Sequence, residues 1–219
     1  MAGDGVVLWG IGTVRTHRPQ WLARELGVGY ELQAIEARSG ATKTLEFLKL
    51  NPRHKVPVMT HGELVLSESA AILGYLTEAF PVPDHFYLPG DAAARAKLFE
   101  WCFFTMTELD ANALYTMRRH GDLKDIYGDA PVAVSSAQDY FHHQLETMEE
   151  RIKGAGAFLM GARISIADIL FVSCLDWARL YRLPLPQYLM AYRERLRARP
   201  AYRESFAANY PGRKVSEIH

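Results

Sequence analysis

The hydrophobic pattern of this chain changes once, at the proline-rich stretch PVPDHFYLPGD (81–91). Before that stretch, short apolar or alternating runs, which are typical of strands, alternate with runs of helical spacing. After it, every periodic run has helical spacing. Strands that alternate with helices predict an α/β layer with a right-handed crossover. The sequence therefore predicts an α/β domain over 1–82 and an all-helical domain over 90–219, joined by a connector without periodicity.

The elements of the two predicted domains follow from these periods. The first domain has the order βαβ, then α, then ββα, with strands over 6–9, 30–35, 56–59 and 63–66 and helices over 18–26, 44–50 and 67–80. Pro19 is expected in the first turn of its helix, and Ser67 at the N-cap of the third helix. The second domain has predicted helices over 91–119, 131–153, 165–181, 187–198 and 200–208.

The sharpest local signal in the second domain is the run Ser165-Ile166-Ala167-Asp168. A serine followed three residues later by an acid predicts a capping box, in which each side chain bonds the backbone amide of the other residue. We interpret this motif as a folding device without a direct role in function.

Composition excludes several classes of function. The chain has 25 Lys plus Arg and 25 Asp plus Glu, so its formal net charge is zero and no concentrated basic face is expected for nucleic acid or a membrane surface. No run of about 18 apolar residues is present, and the N-terminus lacks a signal-peptide pattern. We therefore expect a cytoplasmic protein without a membrane span.

Cysteine and histidine usage predicts neither a disulfide framework nor a metal site. Cys102 and Cys174 lie far apart in apolar helical surroundings, and we expect them, with Trp177, in the core. The eight histidines show no metal-ligand spacing, so no metal is predicted.

The predicted strand at 56–59 contains a proline, which removes a donor from a sheet ladder. One explanation is a cis Val56–Pro57 bond that turns the Val56 peptide outward, where a small extended ligand could pair with it as an added strand. The alternative is a trans proline at the start of an edge strand, and the spacing alone leaves both open.

A second candidate binding feature is Ser67-Glu68-Ser69, which opens a helix directly after a strand. Backbone N–H groups at a helix N-terminus attract a carboxylate, and Ser69 adds a hydroxyl donor. Glu68 adds a negative charge suited to an ammonium group. Together these residues fit the head group of an α-amino acid.

Three motifs, in their order along the chain, resemble the cytosolic glutathione S-transferases: NPRHKVPV (51–58), LVLSESAAILGYL (64–76) and SIADI (165–169). The resemblance implies a thioredoxin-like N-terminal domain, an all-helical C-terminal domain and a homodimer. It also implies that Pro57 is cis and that Val56 binds the cysteinyl backbone of glutathione. The remaining implied contacts are Glu68 and Ser69 at the γ-glutamyl end, with Lys55 and His54 near the glycine carboxylate.

The implied reaction needs a glutathione thiolate, whereas a free thiol has a pKa of about 8.5. The family places a Ser, Tyr or Cys in the loop after the first strand, and GIGTVRTHR (10–18) contains none of these. Thr13 falls near the expected hydroxyl position. Thr16, which we expect to cap the helix, Arg15 or a backbone N–H are the other candidates. The absence of cysteine here argues against the thiol-exchanging classes.

The second substrate implied by the resemblance is a small hydrophobic electrophile, bound against the long helix over 91–119. Tyr115, Arg118 and Arg119 are the candidate contacts at the far end of that helix. Conjugation of glutathione and reduction of a peroxide both fit this arrangement. The alternatives are a glutathione-dependent isomerase, disfavoured because the first loop lacks paired serines and a cysteine, and a glutathione- or partner-binding module with little catalysis.

Overall fold

The structure is a computed structural model that describes residues 5–215. Within these residues the chain divides into two compact units, one formed by 5–86 with 192–215 and the other by 87–191. The predicted limits 1–82 and 90–219 stay a prediction. The main difference from those limits is at the C-terminal end: the residues from Tyr192 onward belong to the unit that contains the α/β part of the chain.

A four-stranded sheet forms the centre of the first unit, with the strand order β2-β1-β3-β4. β2 pairs parallel to β1, whereas β3 pairs antiparallel to both β1 and β4. This mixed sheet confirms the predicted thioredoxin-like fold. Its strands and helices are β1 (Val6–Ile11), α1 (Val14–Leu26), β2 (Tyr30–Glu36), a 3₁₀ turn (Ala41–Lys43), α2 (Leu45–Leu50), β3 (Val58–His61), β4 (Leu64–Ser67) and α3 (Ser69–Ala79).

Helix α1 begins four residues before the predicted start, and the expectation of 18–26 was wrong at that end. Thr13 is its N-cap, and Thr13 forms a capping box with Thr16. Pro19 therefore lies inside the helix instead of in its first turn. The first turn escaped prediction because Val14, Thr16, His17 and Arg18 are all buried, so burial there does not follow an apolar stripe.

The predicted start of the third helix also needs correction. Ser67 is the last residue of β4 and pairs with Val58, so it is still part of the sheet ladder and does not cap a helix. Glu68 occupies the N-cap, and Ser69 is the first helical residue.

The second unit is helical throughout its regular elements, which confirms the predicted helical domain. The long predicted helix is an α-helix only at its start, α4 (Ala92–Phe104), with Asp91 as N-cap. It continues as a π-helical segment (Thr105–Leu114), a short α5 (Tyr115–Met117) and a second π-helical segment (Arg118–Asp122). The later helices are α6 (Lys124–Tyr127), α7 (Pro131–Thr147), α8 (Glu149–Gly154) and α9 (Ile166–Leu180); α10 (Gln187–Arg197) follows, and α11 (Pro200–Asn209) belongs to the first unit.

The predicted capping box of α9 is confirmed. The Asp168 carboxylate accepts the backbone N–H of Ser165 at 2.7 Å and that of Leu159 at 2.7 Å. Cys102, Cys174 and Trp177 are buried as predicted, and neither cysteine forms a disulfide. Burial raises the pKa of the Cys102 thiol to about 12, so this thiol is unreactive at neutral pH.

No helix among residues 5–215 combines the length and apolar character needed to cross a bilayer.

Candidate functional site

The sheet topology brings three candidate segments to one end of the first unit. Val58 opens β3 and pairs both with Trp9, near the end of β1, and with Ser67, at the end of β4. The loop after β1, the Val56–Pro57 bond and the start of α3 therefore lie side by side. Three motifs that are spread over residues 10–69 of the sequence become neighbours through two strand pairs.

Gly10 is what allows β1 to approach Val56 so closely. Its φ of +119° is a conformation that side chains rarely adopt, and a Cβ placed there would lie 2.6 Å from the Val56 Cβ and 2.8 Å from the Thr16 Cγ2. Any larger residue would collide with both. The contact between β1 and the Val56 segment thus requires glycine at this position.

The Val56–Pro57 bond is cis. Val56 is half-buried, and among residues 5–215 no hydrogen bond joins its N–H or C=O to another residue. A half-buried peptide group beside a paired strand normally finds a partner. The Val56 peptide therefore offers one donor and one acceptor to an extended ligand.

Ser69 lies at the start of α3 on top of a buried positive charge. The Arg18 side chain, which is 0% exposed, donates from Nη1 to the Ser69 Oγ at 3.1 Å. Because Ser69 accepts this bond, its own hydroxyl proton remains for donation. The guanidinium group and the N-terminus of α3 both favour an anion at this position.

Glu68 adopts a backbone conformation that is unusual for a side-chain-bearing residue, with φ of +73° and ψ of 114°. Such residues cost about 1–3 kcal/mol each and concentrate at binding and catalytic sites. The exposed Glu68 carboxylate pairs with Arg53 Nη1 at 2.8 Å, and Arg53 Nη2 donates to the Ser67 Oγ at 3.0 Å. A charged group of each sign is therefore available beside Ser69.

The two basic residues that precede Val56 are both exposed. His54 has a φ of +55°, and its Nδ1 lies 3.1 Å from the carbonyl oxygen of Thr42. The Lys55 carbonyl accepts from Asn51 Nδ2 at 2.8 Å, which fixes the backbone just before Val56. Both residues are thus on the chain segment that the resemblance assigned to the glycine end of glutathione.

Thr13 and Thr16 lie together at the start of α1 but differ in exposure. Thr13 is half-buried, and its Oγ1 accepts the Thr16 N–H at 3.1 Å. Thr16 is 1% exposed, and its hydroxyl lies 2.7 Å from Asn209 Oδ1. The cap is therefore Thr13, whereas the sequence had favoured Thr16 for that role. Arg15 is half-buried on the same turn.

The remainder of α1 packs against α3 and α11 within the first unit. His17 is enclosed by aromatic rings, and its Nε2 lies 2.9 Å from the Ser205 Oγ. Burial lowers the pKa of His17 to about 3, with the Arg18 charge acting in the same direction, so the imidazole is neutral in the folded protein. Neutral His17 is a packed structural group and not an acid or base for the site.

The predicted electrophile contacts lie in the second unit, on and after α5. Tyr115 and Arg118 are half-buried and Arg119 is exposed, with its guanidinium 5.0 Å from the centre of the Tyr127 ring. Their role in binding an electrophile stays a prediction.

Three residues at the site were not assigned a role from the sequence: Arg18, Arg53 and Asn209. Arg18 is the first residue of the helix predicted over 18–26, and its burial requires a partner such as Ser69 because arginine is almost never fully buried unpaired. Arg53 lies within the NPRHKVPV motif and pairs with Glu68. Asn209 is close to Thr16 only through the fold, across 193 positions, and no local pattern reveals it.

Comparisons with known proteins identify the family to which the chain belongs. Residues 5–78 match the family "Glutathione S-transferase, N-terminal domain", and residues 107–204 match "Glutathione S-transferase, C-terminal domain". Glutathione S-transferase theta-1 of Bos taurus is 31% identical over 153 residues, covering 69% of this chain and 63% of the bovine protein. The alignment thus spans less than two thirds of that relative's length.

Solved structures show the same fold over nearly the whole chain. A glutathione transferase from Methylococcus capsulatus is 26% identical with a TM-score of 0.78, covering 93% of this chain and 98% of that one. A glutathione transferase homolog from Lodderomyces elongisporus, solved with two GSH per subunit, is 23% identical with a TM-score of 0.80, covering 94% and 99%. On its sequence and its fold, this chain belongs to the glutathione S-transferase family.

Proposed function

We propose that this protein is a glutathione transferase, which binds glutathione in its first unit, stabilises the thiolate and transfers it to a small hydrophobic electrophile. The observation that carries the proposal is the Val56 peptide beside the start of α3, whose N–H and C=O have no hydrogen-bond partner in the part of the chain that the structure describes. A peptide-like ligand that ends in an α-amino acid matches both features. The Lodderomyces relative, which was solved with glutathione, supports the choice of ligand.

Each part of glutathione has a matching group in the proposed pose. The cysteinyl backbone pairs with the N–H and C=O of Val56, as an added antiparallel strand does. The γ-glutamyl carboxylate accepts from the Ser69 hydroxyl at the positive end of α3, and the γ-glutamyl ammonium binds Glu68. Lys55 and His54, both exposed, supply positive or hydrogen-bonding groups for the glycine carboxylate.

The thiolate is stabilised in the proposed mechanism by the Thr13 hydroxyl. Thr13 Oγ1 already accepts the Thr16 N–H, so its proton is directed either to Thr16 Oγ1, at 3.0 Å, or to a bound sulfur. Lowering a thiol pKa by about two units requires about 2.7 kcal/mol of preference for the anion. A hydroxyl donor in a partly dry site supplies a good share of that preference.

The second substrate and the assembly are also part of the proposal. A hydrophobic electrophile is expected to contact Tyr115, Arg118 and Arg119. The alternative second substrate is a hydroperoxide, which would oxidise the bound thiolate. Family membership supports a cytoplasmic homodimer that acts in detoxification and needs glutathione as co-substrate but no metal. Nucleic acid and membranes are not among the proposed partners.

Calorimetric titration with glutathione and turnover of a chloronitroarene test the proposal. We expect micromolar-to-millimolar binding, a thiolate absorbance band that appears below pH 8.5 on binding, and turnover that depends on glutathione. In Ser69→Ala, glutathione binding should weaken about tenfold, because a charge-assisted hydrogen bond is lost. Absence of binding would contradict the proposal.

The same two measurements distinguish the alternative in which the protein is a binding module. Binding without turnover of either a chloronitroarene or cumene hydroperoxide would favour the module. The absence of Ser, Tyr and Cys from the 10–18 loop is the observation behind that alternative.

A further inference from the structure

The last residue of α11, Asn209, is bonded to the loop that carries the candidate hydroxyl. Asn209 is 0% exposed. Its backbone carbonyl accepts the Gly12 N–H at 2.8 Å, and its side-chain Nδ2 donates to the Thr13 carbonyl at 2.9 Å. One residue thus holds a backbone group on each side of the Thr13 Cα.

The other end of the Asn209 side chain is bonded as well. Oδ1 accepts from the Thr16 hydroxyl at 2.7 Å and from Gln20 Nε2 at 3.1 Å. Both lone pairs of the amide oxygen are therefore occupied, and the amide cannot rotate without breaking three hydrogen bonds, two of them buried. Asn209 is thus held in one orientation by its hydrogen bonds, and it links the 12–13 loop to α1.

The hydrogen bonds of Asn209 fix the direction in which the Thr13 hydroxyl points. The Thr13 Cα–Cβ bond is set by the two flanking peptide planes. Asn209 holds the Thr13 carbonyl of the plane after Cα directly. It reaches the plane before Cα through the Thr16 hydroxyl, which accepts the Thr13 N–H and is itself bonded to Asn209 Oδ1. A hydrogen bond to a developing or bound anion weakens steeply once its donor is misplaced by about 1 Å. The position of Thr13 Oγ1 thus depends on a residue 196 positions away in sequence.

We propose that Asn209 is a positioning residue, which acts through Thr13 to set the pKa of the bound glutathione thiol. This inference rests on the proposed function. It assigns to the C-terminal helix a part in the chemistry of the N-terminal fold. Asn209 is not expected to touch glutathione, so its loss should change the thiol pKa and kcat and leave the affinity for glutathione almost unchanged.

The test measures the thiol pKa by absorbance of the bound thiolate against pH, with kcat and the calorimetric Kd for glutathione, in Asn209→Ser and Asn209→Asp. Asn209→Ser removes the side-chain bonds without adding charge. Asn209→Asp is isosteric and keeps the acceptor, but it loses the donor to the Thr13 carbonyl. We expect a thiol pKa raised by about one unit and kcat lowered about tenfold, with Kd within about twofold of wild type.

Two controls separate positioning from a general loss of stability or a change of charge. Ser205→Ala, in the same helix, removes the hydrogen bond to His17. Among the described residues Ser205 forms no hydrogen bond with Gly12 or Thr13, so this variant should leave the thiol pKa unchanged. In a Thr13→Val background, the neutral Asn209→Ser should no longer shift the thiol pKa, because the group through which it acts is absent. A shift that remains for Asn209→Asp in that background measures the effect of its added charge.

Each outcome has one interpretation. If the wild type is active and either folded Asn209 variant keeps the wild-type thiol pKa, the inference is overturned. It is overturned equally if the shift of the thiol pKa caused by Asn209→Ser persists in the Thr13→Val background. A wild-type protein without glutathione binding or turnover would instead overturn the proposed function.

Discussion

Helices α1 and α9 are both almost completely buried and both begin with a capping box, yet they bury different chemistry. α9 buries mainly apolar residues, which include Ile169, Leu170, Phe171 and Val172. α1 buries Thr16, His17, Arg18, Gln20 and Glu25. Burial of a polar group costs free energy unless the group is hydrogen-bonded, so the buried position of α1 requires specific hydrogen-bond partners on neighbouring elements.

The partners of α1 explain why this cost is tolerated. Arg18 bonds Ser69 at the start of α3, and Thr16 bonds Asn209 at the end of α11. The Glu25 carboxylate receives two bonds from Arg199, each of 2.7 Å. The polar residues of α1 thus tie the candidate site to its supporting helices, whereas those of the α9 cap only hold a helix start in place.

The largest effect expected from this comparison is on stability, at the cap of α9. Asp168→Ala leaves the buried N–H groups of Ser165 and Leu159 without their acceptor. We expect a loss of about 3–5 kcal/mol in the free energy of unfolding, measured by urea titration, since bonds to a charged acceptor are worth more than ordinary ones.

A matched control for that substitution is Asp125→Ala, which removes an exposed acid from the second unit and should change stability by less than about 0.5 kcal/mol. A loss of under 1 kcal/mol in Asp168→Ala would show that the cap is replaced by water or by a rearranged loop.

The next effect is a pH dependence that belongs to α1. His17 has a folded pKa of about 3 against an ordinary value of 6.5, because burial disfavours the imidazolium. Below pH 6.5 the unfolded chain takes up a proton that the folded protein does not, so stability falls as the pH falls toward 3. The slope is about 1.4 kcal/mol per pH unit, which amounts to about 2.7 kcal/mol at pH 4.5.

The measurement compares His17→Gln with wild type by urea unfolding at pH 7.0 and pH 4.5. The variant cannot take up this proton, so its loss of stability over that interval should be smaller by about 2.7 kcal/mol. Carboxylates elsewhere contribute equally to both proteins and cancel. Equal losses in the two proteins would mean that His17 becomes charged in the folded state.

The effect expected at the cap of α1 is smaller in free energy and concerns activity instead of stability. Thr13→Val removes the hydroxyl while keeping the branched shape. It should raise the bound thiol pKa by about 1–2 units and lower kcat/KM by about 10–100-fold, because the donor to the thiolate is lost. The matched substitution Ser165→Ala at the other cap should leave both quantities unchanged. An unaltered pH profile in Thr13→Val would mean that another group stabilises the thiolate.

The same comparison shows what could be predicted from the sequence. The α9 cap and the burial of Cys174 in the same helix were predicted correctly because an apolar helix after Ser-x-x-Asp has one stable arrangement. The start of α1 was not, since its buried first turn carries polar side chains whose partners are distant in sequence. Local periodicity contains no information about a bond between Thr16 and Asn209.

The second unit shows a different limit. Tyr115 was placed on a long α-helix, but the π-helical segment before it bonds the Tyr115 N–H to the carbonyl of Asp110, five residues earlier. Each π turn rotates the following residues relative to an α-helical count. The face that Tyr115, Arg118 and Arg119 present was therefore beyond what spacing could predict.

The smallest expected effect is that of Thr13→Ser, when the two cap residues are exchanged. Thr13→Ser keeps a cap hydroxyl at a half-buried position, so stability should change by less than about 0.5 kcal/mol and the thiol pKa should stay near wild type. Ser165→Thr adds a methyl group where Ser165 is 0% exposed, and overpacking there should cost about 1–3 kcal/mol. Urea unfolding of the two variants gives both changes in the free energy of unfolding. If Thr13→Ser were the more damaging, the Thr13 methyl group and not its hydroxyl would be what α1 requires.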